Sequence, residues 1–320
     1  MEALTHFGVE PTQIKLVGTF TNILYRARAT DGTPYALRIC SPAWRTPEDT
    51  RSEVMWLQAL ADEPDIPAPV PVLTLAGEPY ALASGDGIPE PRRCTLTSWL
   101  PGTPLGRRLT PENLVKMGAL FARLHRHGAA FSPPIGFTTR RMASYIARDE
   151  ADVLFSDACL AAMDAHTRDV LLGTRDIVLK AFEDLYADPT DLRVIHNDLW
   201  HDNIKVYRGR LYPLDFEDTV WGYPVQDLAM ALQDLITDVA PGLYEPYARA
   251  LREGYQAIAA WPEAYSGQID QFRAGRILWV ANYVATFQEQ HIDEHLTRLT
   301  PQLERFLDTG EIRKAATHPS

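Results

Sequence analysis

The sequence has 320 residues, of which 46% are hydrophobic and 23% charged, and this composition excludes an intrinsically disordered chain and a collagen-like repeat. The formal net charge of −11 argues against a nucleic-acid-binding protein, because such proteins usually carry a basic excess. The three cysteines form no CxxC pair, which argues against a zinc site and favours reduced thiols in a cytoplasmic protein. The sequence contains no secretory signal pattern and no apolar run near the roughly 18 residues that span a membrane.

The N-terminal part is predicted to consist mainly of β-strands. Strands are predicted at Ile14–Val17, Ile23–Ala29, Tyr35–Cys40 and Cys94–Leu100. Asp31-Gly32 predicts a tight turn, so the second and third of these strands form a β-hairpin. Thr46 and Pro47 are typical of a helix start, and apolar residues at helical spacing continue this helix to Ala61.

After Gly102 the sequence becomes mainly helical. Helices are predicted at Pro111–His127, Thr167–Tyr186, Val225–Val239, Tyr244–Ile258, Gln268–Gln288 and Glu294–Leu307. Short strands are predicted at Arg193–Ile195, Ile204–Tyr207 and Leu211–Leu214. The sequence thus predicts an α+β protein with two lobes, a small antiparallel β-rich lobe at residues 1–100 and a larger helical lobe at 101–320. The connection between the lobes is expected near residues 98–103.

The segment 194–230 carries the residues with the clearest chemistry. A short strand leads into His196-Asn197-Asp198, Asn203 follows, and the second strand of the next hairpin ends at Asp215. Phosphoryl transfer requires a carboxylate that orients the attacking hydroxyl, together with oxygen ligands that hold Mg²⁺ against the phosphates. The loop and the hairpin are expected to bring Asp198, Asn203 and Asp215 together.

These residues, with Asp227-Leu228-Ala229 opening the next helix, resemble the motifs of the aminoglycoside phosphotransferase and choline kinase superfamily. Homoserine kinase and bacterial stress-response Ser/Thr kinases are similar as well. The resemblance implies a protein-kinase-like fold. The chain departs from the family pattern at Asn197, where glycine is usual, although asparagine tolerates a positive φ better than most residues.

The resemblance also implies roles for the residues of this segment. Asp198 is expected to be the catalytic base or orienting carboxylate, and His196 is expected to brace the loop through a hydrogen bond. Asn203 and Asp215 are expected to bind Mg²⁺. Asp227 is expected to be a helix N-cap near the catalytic loop.

The N-terminal lobe resembles a nucleotide-binding lobe, and ATP is therefore the expected cosubstrate. Gly18–Asn22 lies where the family has its nucleotide-covering loop, and Arg38 lies where a strand lysine contacts the phosphates. Glu53 matches the acid that pairs with this cation. Residues 97–102, including Trp99, resemble the segment that binds adenine. The sequence has no GxxxxGK motif, which excludes a P-loop.

Two further acids, Glu217 and Asp218, follow Asp215. They predict either a subsite for a cationic substrate or carboxylates that support the site through hydrogen bonds, and we favour the second interpretation.

Three functions are compatible with these motifs. The favoured one is an ATP- and Mg²⁺-dependent kinase for a hydroxyl of a small molecule, such as an aminoglycoside-like antibiotic, an amino alcohol or a homoserine-like metabolite. A protein Ser/Thr kinase is the alternative, but the segment between Phe216 and Val225 is short for peptide docking. A non-catalytic nucleotide-binding protein is disfavoured because the three motif residues are intact. No nucleic-acid or membrane partner is expected, and the sequence leaves the oligomeric state open.

Overall fold

An antiparallel sheet in the N-terminal part and packed helices in the C-terminal part form the fold, as the sequence predicts. The computed structural model describes residues 2–19, 21–42, 44–85, 88–146 and 150–313, so Phe20 of the predicted nucleotide-covering loop lies outside the described residues. The chain divides into two compact units. Unit 1 comprises Met1–Arg108, Ala130–Thr139 and Asn203–Thr219, and unit 2 comprises Leu109–Ala129, Arg140–Asp202 and Val220–Ser320.

The longer strands and helices lie close to the predicted positions. The strands are β1 (Pro11–Thr19), β2 (Ile23–Ala29), β3 (Pro34–Ile39), β4 (Pro71–Val72), β5 (Ala81–Ala83), β6 (Arg92–Ser98), β7 (Thr103–Pro104), β8 (Arg193–Ile195), β9 (Ile204–Tyr207), β10 (Arg210–Pro213) and β11 (Val220–Gly222). The α-helices are α1 (Glu2–Thr5), α2 (Pro47–Leu60), α3 (Pro111–Ala130), α4 (Asp157–Ala162), α5 (Ala165–Tyr186), α6 (Pro224–Asp238), α7 (Tyr244–Gln256), α8 (Gln268–Phe287) and α9 (Ile292–Thr309). None of these helices is long and apolar enough to span a membrane.

Unit 1 is built on a sheet with the strand order β1-β2-β3-β6-β4, and β5 also pairs with β6. The predicted hairpin between β2 and β3 is confirmed: the carboxylate of Asp31 accepts a hydrogen bond from Thr33 N at 2.8 Å, and Gly32 has a φ of 86°. Leu4 of α1 packs into the apolar core of this sheet beside Leu37 and Leu96. The packing of α1 covers apolar side chains that alternate along the strands.

Helix α2 begins where the sequence predicts. The hydroxyl of Thr46 accepts a hydrogen bond from Asp49 N at 3.1 Å, and the carboxylate of Asp49 accepts one from Thr46 N at 3.0 Å. This reciprocal capping satisfies two N–H groups that the first helical turn leaves without partners. The start of α2 is thereby fixed, and with it the position of Glu53 along the helix.

A second, smaller sheet in unit 1 holds the hairpin that leads to Asp215. Its strand order is β10-β9-β7, and the turn between β9 and β10 uses positive φ angles at Arg208 and Gly209. Gly102 precedes β7 with a φ of 110°, and a Cβ atom there would lie 2.5 Å from Val206 O. A side chain at Gly102 would therefore push β7 away from β9.

Unit 2 contains a helical core and the short antiparallel pair of β8 and β11. Val194 of β8 and Leu228 of α6 are fully buried. Helices α3 and α7 approach each other at two glycines. A Cβ atom on Gly118 would lie 1.8 Å from Leu251 O, and one on Gly254 would lie 1.8 Å from Val115 O. The close backbone contact depends on the absence of both side chains.

Gly254→Ala is expected to destabilise the protein by about 2–4 kcal/mol, because the added methyl group has no room against the backbone of α3. Urea unfolding measures the change. Gly173→Ala on α5 is the matched control, because its Cβ would have only ordinary contacts near 3.5 Å with Leu307. The control is expected to stabilise the protein by up to about 1 kcal/mol, since alanine is the better helix former. Equal effects of the two substitutions would contradict this explanation of the crossing.

Candidate active site

In unit 2 the loop after β8 is held by a single buried carboxylate. Asp227 of α6 is fully buried and accepts hydrogen bonds from Asn197 N at 2.7 Å and from His196 N at 3.2 Å. Asn197 has a φ of 65°, in the left-handed region that asparagine tolerates better than most residues. Asp227 thus holds two successive amide N–H groups of the loop.

Asp227 also contacts a second buried residue. Its Oδ2 lies 3.1 Å from Nε2 of His125, whose Nδ1 lies 3.0 Å from the hydroxyl of Tyr255. The prediction that Asp227 caps α6 is wrong. The N-cap is Tyr223, whose N–H donates to Oε1 of Gln226 at 2.8 Å. Asp227 lies inside the first turn of α6, from where its carboxylate reaches the loop.

Asp198 follows directly on this clamped turn. Its N–H donates to Nδ1 of His196 at 3.3 Å, which is the predicted brace, and His196 itself is fully buried. The carboxylate of Asp198 is partly exposed, and one oxygen lies 3.5 Å from Nη2 of Arg276 on α8. The loop therefore fixes the backbone of Asp198 and leaves its side chain accessible.

In unit 1 the hairpin brings Asn203 close to Asp215, because Leu214 N donates to Asn203 O at 2.8 Å. Asp215 has a φ of 58° and a ψ of 65°, a left-handed conformation that costs a non-glycine residue about 1–3 kcal/mol. The next residue, Phe216, packs edge-on against Trp56 of α2 at 5.4 Å between ring centroids. This packing stabilises the strained position of Asp215.

Arg38 on β3 lies between two acids of unit 1. Its Nη2 contacts Glu53 of α2, as predicted, and its Nη1 lies 3.4 Å from Glu217. Burial alone would lower the pKa of Arg38, but Glu53 and Glu217 raise it well above its usual value, so the guanidinium stays charged. Among the described residues, Nε of Arg38 has no hydrogen-bond partner although it is buried. A buried N–H donor on a permanent cation suits an anionic ligand.

Glu217 connects several parts of unit 1. Besides Arg38, its carboxylate accepts hydrogen bonds from Nδ2 of Asn22 at 2.6 Å and from Nε1 of Trp44 at 3.1 Å. The neighbouring Asp218 forms an ion pair with Arg45. Of the two interpretations of these acids, the contacts favour carboxylates that support the site over a subsite for a cation.

The predicted nucleotide-binding residues lie along the same sheet. Gly18 pairs with Leu24 between β1 and β2, and Oδ1 of Asn22 accepts a hydrogen bond from Ser41 N at 2.9 Å. Asn22 thus contacts both Glu217 and the segment after β3. These contacts fix the side chain at the end of the predicted nucleotide-covering loop.

Trp99 follows β6 and is flanked by two cations. The guanidinium of Arg26 lies 4.9 Å from the centroid of the indole ring, and the ammonium of Lys205 lies 4.2 Å from it. Trp99 N donates to Pro34 O at 3.1 Å, and Lys205 Nζ donates to Leu100 O at 3.0 Å. The indole ring and the backbone N–H of Trp99 thus both have partners within the protein. A direct role of Trp99 in binding adenine stays a prediction.

Asp215 and Asn203 provide oxygen ligands of the kind that Mg²⁺ prefers. Desolvation by the surrounding protein atoms, together with the charge of Glu217, raises the pKa of Asp215 to about 8 although the residue is exposed, while the charge of Arg38 opposes this shift. A divalent cation would favour the ionised form of Asp215, so the residues fit a magnesium site. No group of three or more His, Cys, Asp or Glu residues in the described ranges forms a metal site by itself. Nucleotide phosphates would have to complete the ligand set.

Several contacts at these residues were not predicted from the sequence. Trp44 and Arg45 hold the two acids after Asp215, and Arg276 reaches Asp198 from a distant helix. No local motif marks these three residues. A tryptophan–arginine pair a few residues after a predicted strand was the one signal that could have drawn attention to the first two.

A model of the phosphotransferase enzyme family matches residues 14–261. A microcompartment-associated aminopropanol kinase is 19% identical, with a TM-score of 0.77 and 97% of each chain covered. An amicoumacin kinase in complex with AMP-PNP and Ca²⁺ is 16% identical, with a TM-score of 0.77 over 95% of this chain and 91% of that one. Spectinomycin phosphotransferase with ADP and spectinomycin is 12% identical, with a TM-score of 0.65 over 96% and 95% of the two chains. A search of the curated proteins found no match. These structural similarities identify a protein-kinase-like fold.

Asp215→Asn is expected to make the protein more stable than the wild type near pH 8, and this difference should shrink as the pH falls toward 4. Because the pKa of Asp215 rises from 3.8 to about 8 on folding, the folded chain keeps a proton that the unfolded chain loses in this range. The wild type therefore loses stability as the pH rises through this range, and the loss is small because solvent screens the exposed side chain of Asp215.

Urea unfolding at about pH 5 and about pH 8 tests this expectation. The control is Asp176→Asn, which neutralises an exposed acid on α5. If the stability difference between Asp215→Asn and the wild type were the same at both pH values, the raised pKa would be contradicted.

Proposed function

Because the chain belongs to the phosphotransferase enzyme family, we propose that it transfers the γ-phosphoryl group of ATP, with Mg²⁺, to a hydroxyl group of a small molecule. The observation that carries this proposal is the pairing of opposite binding preferences in unit 1. Arg38 is a partly buried permanent cation whose buried Nε–H has no partner among the described residues, and Asp215 is an exposed carboxylate whose pKa is raised by desolvation and by its acidic neighbours. A magnesium nucleotide would supply an anion for the first and a cation for the second.

In the proposed reaction the oxygen of the acceptor hydroxyl forms a bond to the γ-phosphorus, the bond from that phosphorus to the bridging oxygen breaks, and ADP leaves. Asp198 orients the hydroxyl and accepts its proton, which then passes to solvent. Arg38 binds phosphate oxygens, and Glu53 holds the guanidinium in place. His196 braces the loop and takes no proton. Catalysis of this kind depends mainly on positioning and electrostatics.

The metal would be held by the carboxylate of Asp215 and the side-chain oxygen of Asn203. When bound, Mg²⁺ neutralises charge on the nucleotide phosphates. Phe216 holds the backbone of Asp215 through its packing on Trp56, so this ligand is positioned before any metal arrives.

The acceptor is proposed to be a small alcohol that carries amino groups. The similar structures include enzymes named for aminopropanol, amicoumacin and spectinomycin, which supports an amino alcohol, an aminoglycoside-like compound or a homoserine-like metabolite. A protein acceptor is disfavoured because the segment between Asp215 and α6 is short. It contains a 3₁₀ turn at Phe216–Asp218 and the strand β11, which leaves little chain for docking a peptide. The free cysteines Cys40, Cys94 and Cys159 support our proposal of a reducing cytoplasmic location.

Asp198→Ala is expected to lower the rate of phosphoryl transfer by about 10²–10⁴-fold, because the acceptor hydroxyl loses its proton acceptor. The measurement is transfer of label from Mg-ATP to a panel of amino alcohols, aminoglycosides, homoserine and a generic protein. Asp184→Ala, which removes an exposed acid of α5, is the control and should keep the wild-type rate. Label that appears only in the protein substrate, or an unchanged rate with Asp198→Ala, would contradict the proposal.

Asp215→Ala is expected to weaken the binding of Mg-ATP by at least about tenfold, because a metal ligand is lost. Calorimetric titration with Mg-ATP, and with ATP in the presence of EDTA, separates the metal from the nucleotide. The loss should be large with Mg²⁺ and small without it. Equal affinities of the variant and the wild type for Mg-ATP would show that Asp215 does not hold the metal.

A further inference from the structure

Helix α6 presents three acids on one face. Two of them contact the loop that contains Asp198, and the third contacts an arginine that reaches the Asp198 side chain. Asp227, Asp234 and Asp238 are seven and four residues apart, so they lie on the same side of the helix. Asp227 is the residue that clamps the backbone at positions 196 and 197. The other two acids are not part of any motif in the sequence.

Asp234 is linked to the loop after β8 indirectly, through Arg276. Its two oxygens accept hydrogen bonds from Nη2 of Arg276 at 2.9 Å and from Nε of Arg276 at 3.3 Å. A carboxylate that engages two nitrogens fixes the plane of the guanidinium. The ring of Trp279, one turn further along α8, lies 4.6 Å from the same guanidinium and restricts it further.

The guanidinium held in this way reaches the side chain of Asp198. Nη2 of Arg276 lies 3.5 Å from Asp198 Oδ1, longer than its 2.9 Å contact with Asp234. Arg276 is therefore anchored on α6 and directed at Asp198, and its contact with the carboxylate of Asp198 is longer than its contact with Asp234. A side chain of Asp198 held by the longer contact can turn to an acceptor hydroxyl without releasing the anchor.

Asp238 contacts the same loop further along. Its Oδ2 lies 3.0 Å from Nε2 of His201, which is buried, and the ring of His201 packs edge-on against Trp200. The loop of unit 2 from position 196 to position 201 is thus fastened at both ends by acids of α6, and the side chain of Asp198 is contacted between them through Arg276.

We propose that Asp234 and Arg276 are positioning residues for phosphoryl transfer: Asp234 holds Arg276, and Arg276 holds the carboxylate of Asp198 in the orientation that receives the acceptor hydroxyl. This inference rests on the function proposed above. The nucleotide is assigned to residues of unit 1, so the pair acts on the transfer step and leaves the binding of Mg-ATP unaffected.

The proposal is tested by steady-state kinetics, with the acceptor that the panel of compounds identifies. Arg276→Gln and Asp234→Asn are each expected to lower kcat by about 10–100-fold, with the KM for Mg-ATP within about twofold of the wild type. The double variant should be no slower than Arg276→Gln alone, because Asp234 acts through the arginine. Arg276→Lys should recover part of the rate, since it keeps the charge and loses the two-nitrogen contact.

The matched control is Asp270→Asn, which breaks another carboxylate–arginine pair on the same helix, between Asp270 and Arg273 at 2.6 Å. It should keep the wild-type kcat. Wild-type rates for Arg276→Gln, or losses that add in the double variant, would overturn the proposal. An unchanged rate with Asp198→Ala would instead overturn the proposed function.

A crystal structure of Arg276→Gln gives a readout that needs no acceptor. The carboxylate of Asp198 is expected to turn to a different rotamer, while the backbone at positions 196 and 197 stays bonded to Asp227. An Asp198 side chain in the same position as in the wild type would show that Arg276 does not position it, whatever the enzyme phosphorylates.

Discussion

The candidate site of unit 2 depends on the burial of one carboxylate, that of Asp227. A buried charge is costly unless hydrogen bonds satisfy it, and Asp227 receives them from two successive amides and from His125. Asn197, the second of these residues, adopts a left-handed conformation, which sets the direction in which the chain leaves the clamped turn toward Asp198. The residue type at position 197, the start of α6 and the backbone direction of Asp198 are therefore parts of a single arrangement.

Charge in unit 1 is arranged by the same rule. Glu53, Glu217 and Asp218 are acids in a protein of net charge −11, yet each is paired with an arginine, either Arg38 or Arg45. Because of this pairing, the two acids after Asp215 bind side chains within the protein, which favours a supporting role over a subsite for a cationic ligand. The fold is shared with enzymes named for several different small molecules, so the fold by itself does not identify the acceptor.

The sequence predicted what depends on local pattern. Hydrophobic periodicity and capping residues predicted the ends of nearly all of the long strands and helices to within a few residues. Asp31-Gly32 identified a turn, and Thr46 identified the start of a helix. Short elements such as α1, α4 and β11 were missed because a few residues carry no detectable periodicity.

Side-chain partners of the site were predicted only where a family motif marked them. The pairing of Arg38 with Glu53 is an example. The sequence predicted Asp227 near the correct end of α6 but in the wrong role, that of N-cap. Spacing along the chain does not tell which groups a carboxylate faces. The contacts of Arg276 with Asp234 and Asp198 join three separate segments, and no pattern along the chain encodes them. The grouping of Asp198 with Asn203 and Asp215 stays a prediction.

The position of Arg38 has a consequence for how tightly any phosphate can bind there. Its guanidinium is already neutralised by Glu53 and Glu217, and Glu217 also occupies Asn22 and Trp44. An incoming phosphate would therefore bind through Nε of Arg38, which has no partner within the described part of the chain, and share the guanidinium with these internal anions, instead of meeting an empty cation. The affinity for that phosphate would be lower than at a guanidinium without internal partners. In the proposed reaction, such weakened binding would favour release of the nucleotide after each turnover.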